Sequence, residues 1–158
     1  MYIYPHNIQW ASEYTQESKA IILSYGAGLK LHHIGSTAVK GLYAKDCIDI
    51  LGIVSSLSEV QTKKESFIRL GYSYKGEHGI NGREYFSKLK RKVHLHIFET
   101  GDINIARHLN FLSIMKSTPA LVAKLNNLKN HLHNKYPDDK ESYQKEKVCF
   151  YNKIHKML

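Results

Sequence analysis

The chain has 158 residues, 42% hydrophobic and 23% charged, which is typical of a soluble globular protein, and we expect one domain over residues 1–158. Its formal net charge of +9 suits a phosphate-rich ligand, a nucleic acid or an acidic partner, and equally an ordinary solvated surface. No apolar run reaches the roughly 18 to 20 residues of a membrane span, no signal-peptide pattern opens the chain, and two cysteines are too few for a disulfide framework, so we expect a cytoplasmic protein with no membrane partner.

The first third of the chain predicts one helix and two strands. Residues 8–25 place apolar side chains on one helical face. Strands are predicted over residues 30–34 and 47–54, and the second is apolar on both faces, which favours a central place in a sheet. Cys47, at the start of that second strand, is expected to be a small buried hydrophobe.

The middle of the chain predicts another helix and the rest of the sheet. The helix is expected over residues 58–70, with Ser58 as its N-cap. A short strand over residues 72–75 follows, and residues 83–89 and 92–98 then read as antiparallel strands joined by a basic turn.

Beyond Gly101 the pattern becomes helical to the end. One helix is predicted over residues 103–116, a second begins at Pro119 after a Thr118 cap, and a third follows the break at Pro137. This order predicts an α+β fold, with a sheet-bearing core over about residues 1–100 and a helical part over about residues 101–158.

Several residues are suited to hold a phosphate group. Gly35 and Ser36 break the chain directly after the first predicted strand, where they offer backbone N–H groups and a hydroxyl. Thr37 adds a second hydroxyl, or simply caps the turn. Lys45 and Arg83 are further candidates for neutralising phosphate charge, since Arg binds such groups bidentately and Lys as a point charge.

A metal site is the second chemical hypothesis. Asp49 is a lone acid in an apolar strand, and His94 and His96 share one face of a later strand, so these three side chains are candidate ligands. Carboxylate ligands favour magnesium, whereas added imidazoles favour zinc, manganese or iron. The alternatives are a structural ion pair between Asp49 and Lys45 or Arg83, and an incidental pair of histidines.

The candidate residues fall in motifs that closely resemble the GrpB family, which is assigned to the nucleotidyltransferase-fold superfamily. The motifs are His33-Ile-Gly-Ser-Thr-Ala-Val39, Ile48-Asp-Ile50, Arg83-Glu-Tyr-Phe86, His94-Leu-His96 and His108-Leu-Asn-Phe111. The first is long and specific, while the later ones are short. The resemblance implies a nucleotidyltransferase-like mixed β-sheet with helices packed on it and a C-terminal helical layer.

Two departures from the family pattern bear on catalysis. Nucleotidyltransferases usually present two acids two residues apart, but here Asp49 is followed by Leu51. GrpB-like chains commonly carry an Arg-Asp pair after Phe111, where this chain has Leu112 and Ser113. The departures leave open whether the chain transfers a nucleotidyl group or only binds its ligand.

The leading hypothesis is a protein that binds a nucleotide or a phosphorylated small molecule, and that transfers a nucleotidyl group with a divalent metal: magnesium, manganese or zinc. Asp49 and His96 are the expected catalytic residues, with His94 or His96 as second metal ligand or general base. The alternative is a non-catalytic module that binds a ligand or a protein partner. GrpB-like domains also occur fused to dephospho-CoA kinase, and for them the resemblance implies a role in supporting folding. Nucleic acid is not an expected partner, since no aromatic residues accompany the basic ones at the spacing of an RNA-binding sheet.

Overall fold

A computed structural model describes residues 2–157. The elements, in chain order, are α1 Gln9–Tyr25, β1 Lys30–Ile34, a 3₁₀ turn Ser36–Ala38, β2 Ile48–Val54, α2 Leu57–Arg69, β3 Ser73–Tyr74, β4 Arg83–Lys88, β5 Val93–Glu99, α3 Ile103–Ser117, α4 Pro119–Lys135 and α5 Lys140–His155. The α+β class and the mixed sheet predicted from the sequence are confirmed. The N-cap of α2 is Ser56 and not Ser58 as predicted, because Ser56 has the extended backbone that a cap needs and its hydroxyl accepts the Ser58 N–H at 3.3 Å.

The five strands form one sheet in the order β1-β2-β5-β4-β3. β2 and β5 are parallel, and the other neighbouring pairs are antiparallel. The parallel register sets Asp49 beside His94 and Leu51 beside His96. Because side chains two apart on a strand share a face, all four lie on one face, which we call the site face.

The opposite face of the sheet holds the main core. Ile50 and Leu95 are fully buried there against α1 and α2, with Trp10 and Phe67 as their largest partners. This burial fixes the register of the strands, since a slip by one residue would turn the apolar side chains to the site face.

The site face is covered along part of its length. Ile34, Leu51 and Phe98 are fully buried under Ile105 and Leu109 of α3. Further along the same strands the cover ends, and the polar side chains of β2 and β5 lie in a cleft.

Helices α3, α4 and α5 pack on one another as the predicted C-terminal layer. Phe111, Leu125 and Phe150 are buried between them, and Val39 and Leu42 from the segment after β1 join the same cluster. The layer is therefore attached to the loop that carries Gly35 and Ser36. No helix between residues 2 and 157 is long and apolar enough to cross a bilayer.

Candidate functional site

Asp49 stands at the centre of the cleft, and both predicted imidazoles reach it. Its Oδ1 atom lies 3.3 Å from Nδ1 of His94 and 3.2 Å from Nε2 of His96. Burial by itself raises the pKa of Asp49, but hydrogen bonds from the two imidazoles outweigh it and hold the pKa well below its usual range. The carboxylate is therefore ionised at every physiological pH.

The tautomer of His96 follows from its second neighbour. Nη1 of Arg83 lies 3.1 Å from Nδ1 of His96. A guanidinium only donates, so Nδ1 accepts and the ring proton sits on Nε2, from which it is donated to Asp49. Both ring nitrogens are occupied, so in this arrangement His96 positions Asp49, and the expected roles of metal ligand and general base do not fit it.

Arg83 lies behind His96, and its guanidinium has no hydrogen bond to the Gly35–Ser36 loop. Its guanidinium is buried and also donates to the backbone carbonyl of Glu77 at 3.1 Å and to that of His78 at 2.8 Å. Those bonds leave it a structural partner of His96 instead of the phosphate ligand that the sequence suggested. The alternative of a direct ion pair with Asp49 is not found either: within residues 2–157, the carboxylate pairs with the two histidines and with neither Arg83 nor Lys45.

Cys47 joins His94 as a candidate metal ligand. One ligand atom each from Cys47, Asp49 and His94 lies within 4.8 Å of the others. Burial, with the neighbouring Asp49 charge, raises the pKa of the Cys47 thiol to about 12, so a metal would have to displace the thiol proton. Sequence reasoning assigned Cys47 a packing role only, although it lies directly before β2 and two residues from Asp49, on the side of the site face.

Gly35 brings the loop after β1 against Asp49. Its backbone has φ 73° and ψ −168°, a conformation that side chains strongly disfavour. A Cβ atom at this position would lie 3.0 Å from Oδ2 of Asp49. Glycine is thus required both by the turn and by the close approach of the carboxylate.

The two loop hydroxyls have different hydrogen-bond partners. Lys129 from α4 donates to the Ser36 hydroxyl at 2.8 Å and to the carbonyl of Tyr43. Thr37 is buried, and its hydroxyl is hydrogen bonded to Nε2 of His33 at 2.9 Å. The Thr37 hydroxyl is therefore already engaged by His33.

Three lysines surround the loop. Lys129 is only 2% exposed, and burial, followed by the charges of Lys147 and Lys45, lowers its pKa well below the usual value. Burial and Lys45 lower the pKa of Lys147 to about 8, and burial, followed by the charge of Lys140, also lowers that of Lys45. An anion bound among these three lysines would offset their mutual repulsion and favour their charged forms.

These lysines line one cavity with the loop and with Asp49. It has a volume of about 300 Å³ and is bordered also by Tyr143 and Tyr151 of α5. We call it the phosphate cavity. Sequence analysis missed Lys129 and Lys147; the signal for Lys129 was its position between Leu125 and Leu132, four and three residues away, in the buried stripe of α4.

A larger cleft, of about 910 Å³, opens beside the phosphate cavity. Asp49, Gly35 and Tyr151 border both spaces, and His108 and Phe111 from α3 line the larger one. Burial lowers the pKa of His108 to about 4, so this imidazole is neutral. The cleft can accept a neutral or aromatic group joined to an anionic one in the phosphate cavity.

Comparison with known proteins relates this geometry to a family. The profile of the family described as GrpB protein matches residues 1–157. The chain is 36% identical to the UPF0157 protein YqkA of Bacillus subtilis over 141 residues, which are 87% of this chain and 41% of YqkA. It thus spans less than half the length of that relative. Among solved structures, GrpB from Enterococcus faecalis is similar, with 32% identity, a TM-score of 0.91 and coverage of 98% of this chain and 95% of that one.

The fold is also similar to that of nucleotidyltransferases. The Cid1 poly(U) polymerase has a TM-score of 0.58 to this chain, with 14% identity, over 82% of this chain and 43% of the polymerase. At that identity the likeness concerns the fold alone.

Proposed function

The chain belongs to the GrpB family, and from that premise we propose that it binds a nucleoside triphosphate at Asp49 and transfers the nucleotidyl group to an acceptor. The observation that carries the proposal is the convergence of the Gly35–Ser36 loop, Asp49 and three lysines on one cavity. The nucleotidyltransferase-like fold supports it.

The phosphate end of the ligand is held by charge. Lys129 and Lys147 come from the helical layer, Lys45 comes from the loop before β2, and Ser36 adds its hydroxyl and N–H group. Within the lining of this cavity Asp49 is the one carboxylate, so the lysines have more positive charge than the site itself neutralises. A triphosphate supplies the missing negative charge.

The side chains around Asp49 fit a transition metal. A thiolate, an imidazole and a carboxylate are the donors that zinc accepts, and Cys47, His94 and Asp49 hold them close together. A second carboxylate for a pair of magnesium ions is missing among the described residues of the site, because Leu51 occupies its position. When bound, a divalent ion would supply Lewis-acid polarisation of a phosphoryl oxygen.

The proposed reaction is an in-line substitution at phosphorus. The acceptor oxygen forms a bond to the α-phosphorus, the bond to the bridging oxygen breaks, and pyrophosphate leaves while the acceptor proton passes to solvent. Lys129 and Lys147 stabilise the charge that develops on the leaving group. His96, fixed by Arg83, keeps the Asp49 carboxylate in one orientation throughout.

The experiment is a two-step assay on the wild-type chain and on Asp49→Asn. Thermal shift with each common nucleoside triphosphate, with magnesium, manganese or zinc, measures binding, and α-labelled triphosphate then reports transfer to an acceptor or to water. We expect stabilisation by triphosphate and label transfer that Asp49→Asn abolishes. The proposal is wrong if no triphosphate raises the melting temperature, or if Asp49→Asn transfers label as the wild type does.

Binding without transfer is the second candidate, and Leu51 favours it. This side chain is fully buried between Ile34 and Phe98, so it belongs to the core under α3 and leaves no room for another acid. Triphosphate stabilisation without release of pyrophosphate would support a ligand-binding module of the non-catalytic kind.

A further inference from the structure

A groove lined by lysines and aromatic rings runs up to the proposed catalytic centre. It has a volume of about 690 Å³ and shares Lys45, Cys47 and His94 with the phosphate cavity. We call it the basic groove and define it by Tyr4, Lys75, His78, Lys90, Lys92 and Lys140. Neither the proposed phosphate site nor the sheet core uses these side chains.

The charge of the basic groove is largely unneutralised. Lys88 pairs with Glu17 at 2.9 Å and Arg91 pairs with Asp46 at 3.0 Å, so these two basic residues hold the wall in place. Asp46 is the one carboxylate in the lining, and Arg91 and the indole of Trp10 already occupy it. In residues 2–157, no ion pair to a carboxylate is formed by the exposed groove lysines Lys75, Lys90, Lys92 and Lys140.

Flat rings lie among these cations. Tyr4 is 44% exposed. The exposed His78 ring is stacked on Tyr85, with 4.9 Å between ring centroids and 12° between planes. Five chain segments supply the groove, which explains why the sequence shows no interleaving of basic and aromatic residues.

We infer that the basic groove binds a single-stranded polynucleotide. Repeated phosphates match the row of unpaired lysines, and exposed bases stack on the aromatic rings, whereas paired bases in a duplex cannot. Because the groove shares His94 and Cys47 with the phosphate cavity, a strand in it reaches the Asp49 centre. On the proposed function, that strand is the acceptor of the nucleotidyl group.

The test measures fluorescence anisotropy of a labelled short single-stranded RNA, its duplex and polyglutamate across a salt titration. The groove variant combines Lys75→Ala, Lys90→Ala and Lys92→Ala. The control combines Lys19→Ala, Lys124→Ala and Lys153→Ala, three exposed lysines outside the groove with the same total charge change. We expect the groove variant to lower the slope of log affinity against log salt by roughly 0.7 for each lysine removed, and the control to leave it unchanged.

A substitution of Tyr4 tests the stacking part. Tyr4→Leu should weaken single-strand binding roughly 5- to 150-fold, which is the loss of affinity expected when one base loses the aromatic ring on which it stacks. Tyr4→Phe should retain the affinity, because the ring is kept. Equal losses in the groove and control variants, preference for the duplex, or equal binding of polyglutamate would overturn the inference.

Thermal shift with triphosphate, measured on the same samples, separates this inference from the proposed function. If the single strand does not bind while triphosphate still stabilises the protein, only the inference is wrong. If the strand binds and triphosphate does not stabilise, the proposed function is wrong and the groove remains a polynucleotide site.

Discussion

Replacing Gly35 by alanine should damage the site more than an equal change elsewhere. The left-handed backbone at φ 73° costs a non-glycine residue about 1–3 kcal/mol. In addition, the new Cβ atom would stand 3.0 Å from Oδ2 of Asp49, so the carboxylate must move away from His94 or His96. Losing one such charge-assisted hydrogen bond costs about 1.5–3 kcal/mol more.

Gly41→Ala is the matched control. Gly41 has a similar φ of 80°, but a Cβ atom there would meet only Val122, at an ordinary 3.9 Å. Both variants put a side chain at a positive φ, and only Gly35→Ala adds the contact with Asp49, which is the expected source of the difference between them. For a chain of this size that difference corresponds to a gap of about 3–12 °C in melting temperature, with Gly35→Ala the lower.

Scanning calorimetry gives the two melting temperatures, and zinc titration followed by calorimetry gives the second readout. Gly35→Ala should lose zinc affinity because Asp49 is displaced, while Gly41→Ala should retain it. Equal melting temperatures for the two variants would refute the steric reasoning. Unchanged zinc affinity in Gly35→Ala would show that Asp49 is not a ligand.

Three other predictions concern the charged side chains. Lys129→Met should weaken triphosphate binding about 10- to 150-fold in calorimetric titration, which is the effect of losing one charge-assisted hydrogen bond. Lys124 is exposed on the same helix, so Lys124→Met should leave the affinity unchanged, and similar losses in both variants would contradict this prediction. Triphosphate affinity should fall as pH rises through about 8, because Lys147 loses its proton there, and Lys147→Arg should flatten the profile; an unchanged profile in that variant would count against the assignment. Cys47→Ser should lower affinity for zinc and spare that for magnesium, as judged by competition with a chelator; equal effects on both ions would exclude the thiolate.

The strands and helices were predicted well from the sequence because they follow simple hydrophobic periodicities. β2 is apolar on both faces and lies inside the sheet between β1 and β5, as predicted, and the helical stripes after Gly101 form the C-terminal layer. The meeting of Asp49 with His94 and His96 depends on β2 and β5 being neighbours in the sheet, which is what the superfamily resemblance implied.

The electrostatic detail could not be read from periodicity. The role of Arg83 depends on the register of β4 against β5, which sets its guanidinium against His96. The Lys129 contact joins residues 93 positions apart, and no local pattern encodes such a pair. The buried stripe of α4 places Lys129 on the inner face of the helix, but it gives no partner for the ammonium group.

The hydrogen bond from Lys129 to Ser36 makes attachment of the helical layer depend on what occupies the phosphate cavity. Lys129 holds α4 against Ser36 and Tyr43 while carrying a charge that its surroundings disfavour. An anion that relieves that charge strengthens the contact, and by linkage a well-docked layer binds the anion more tightly. Hydrogen exchange in α4 and α5 should therefore slow when the cavity fills, so the last third of the chain would act as a sensor of its own ligand.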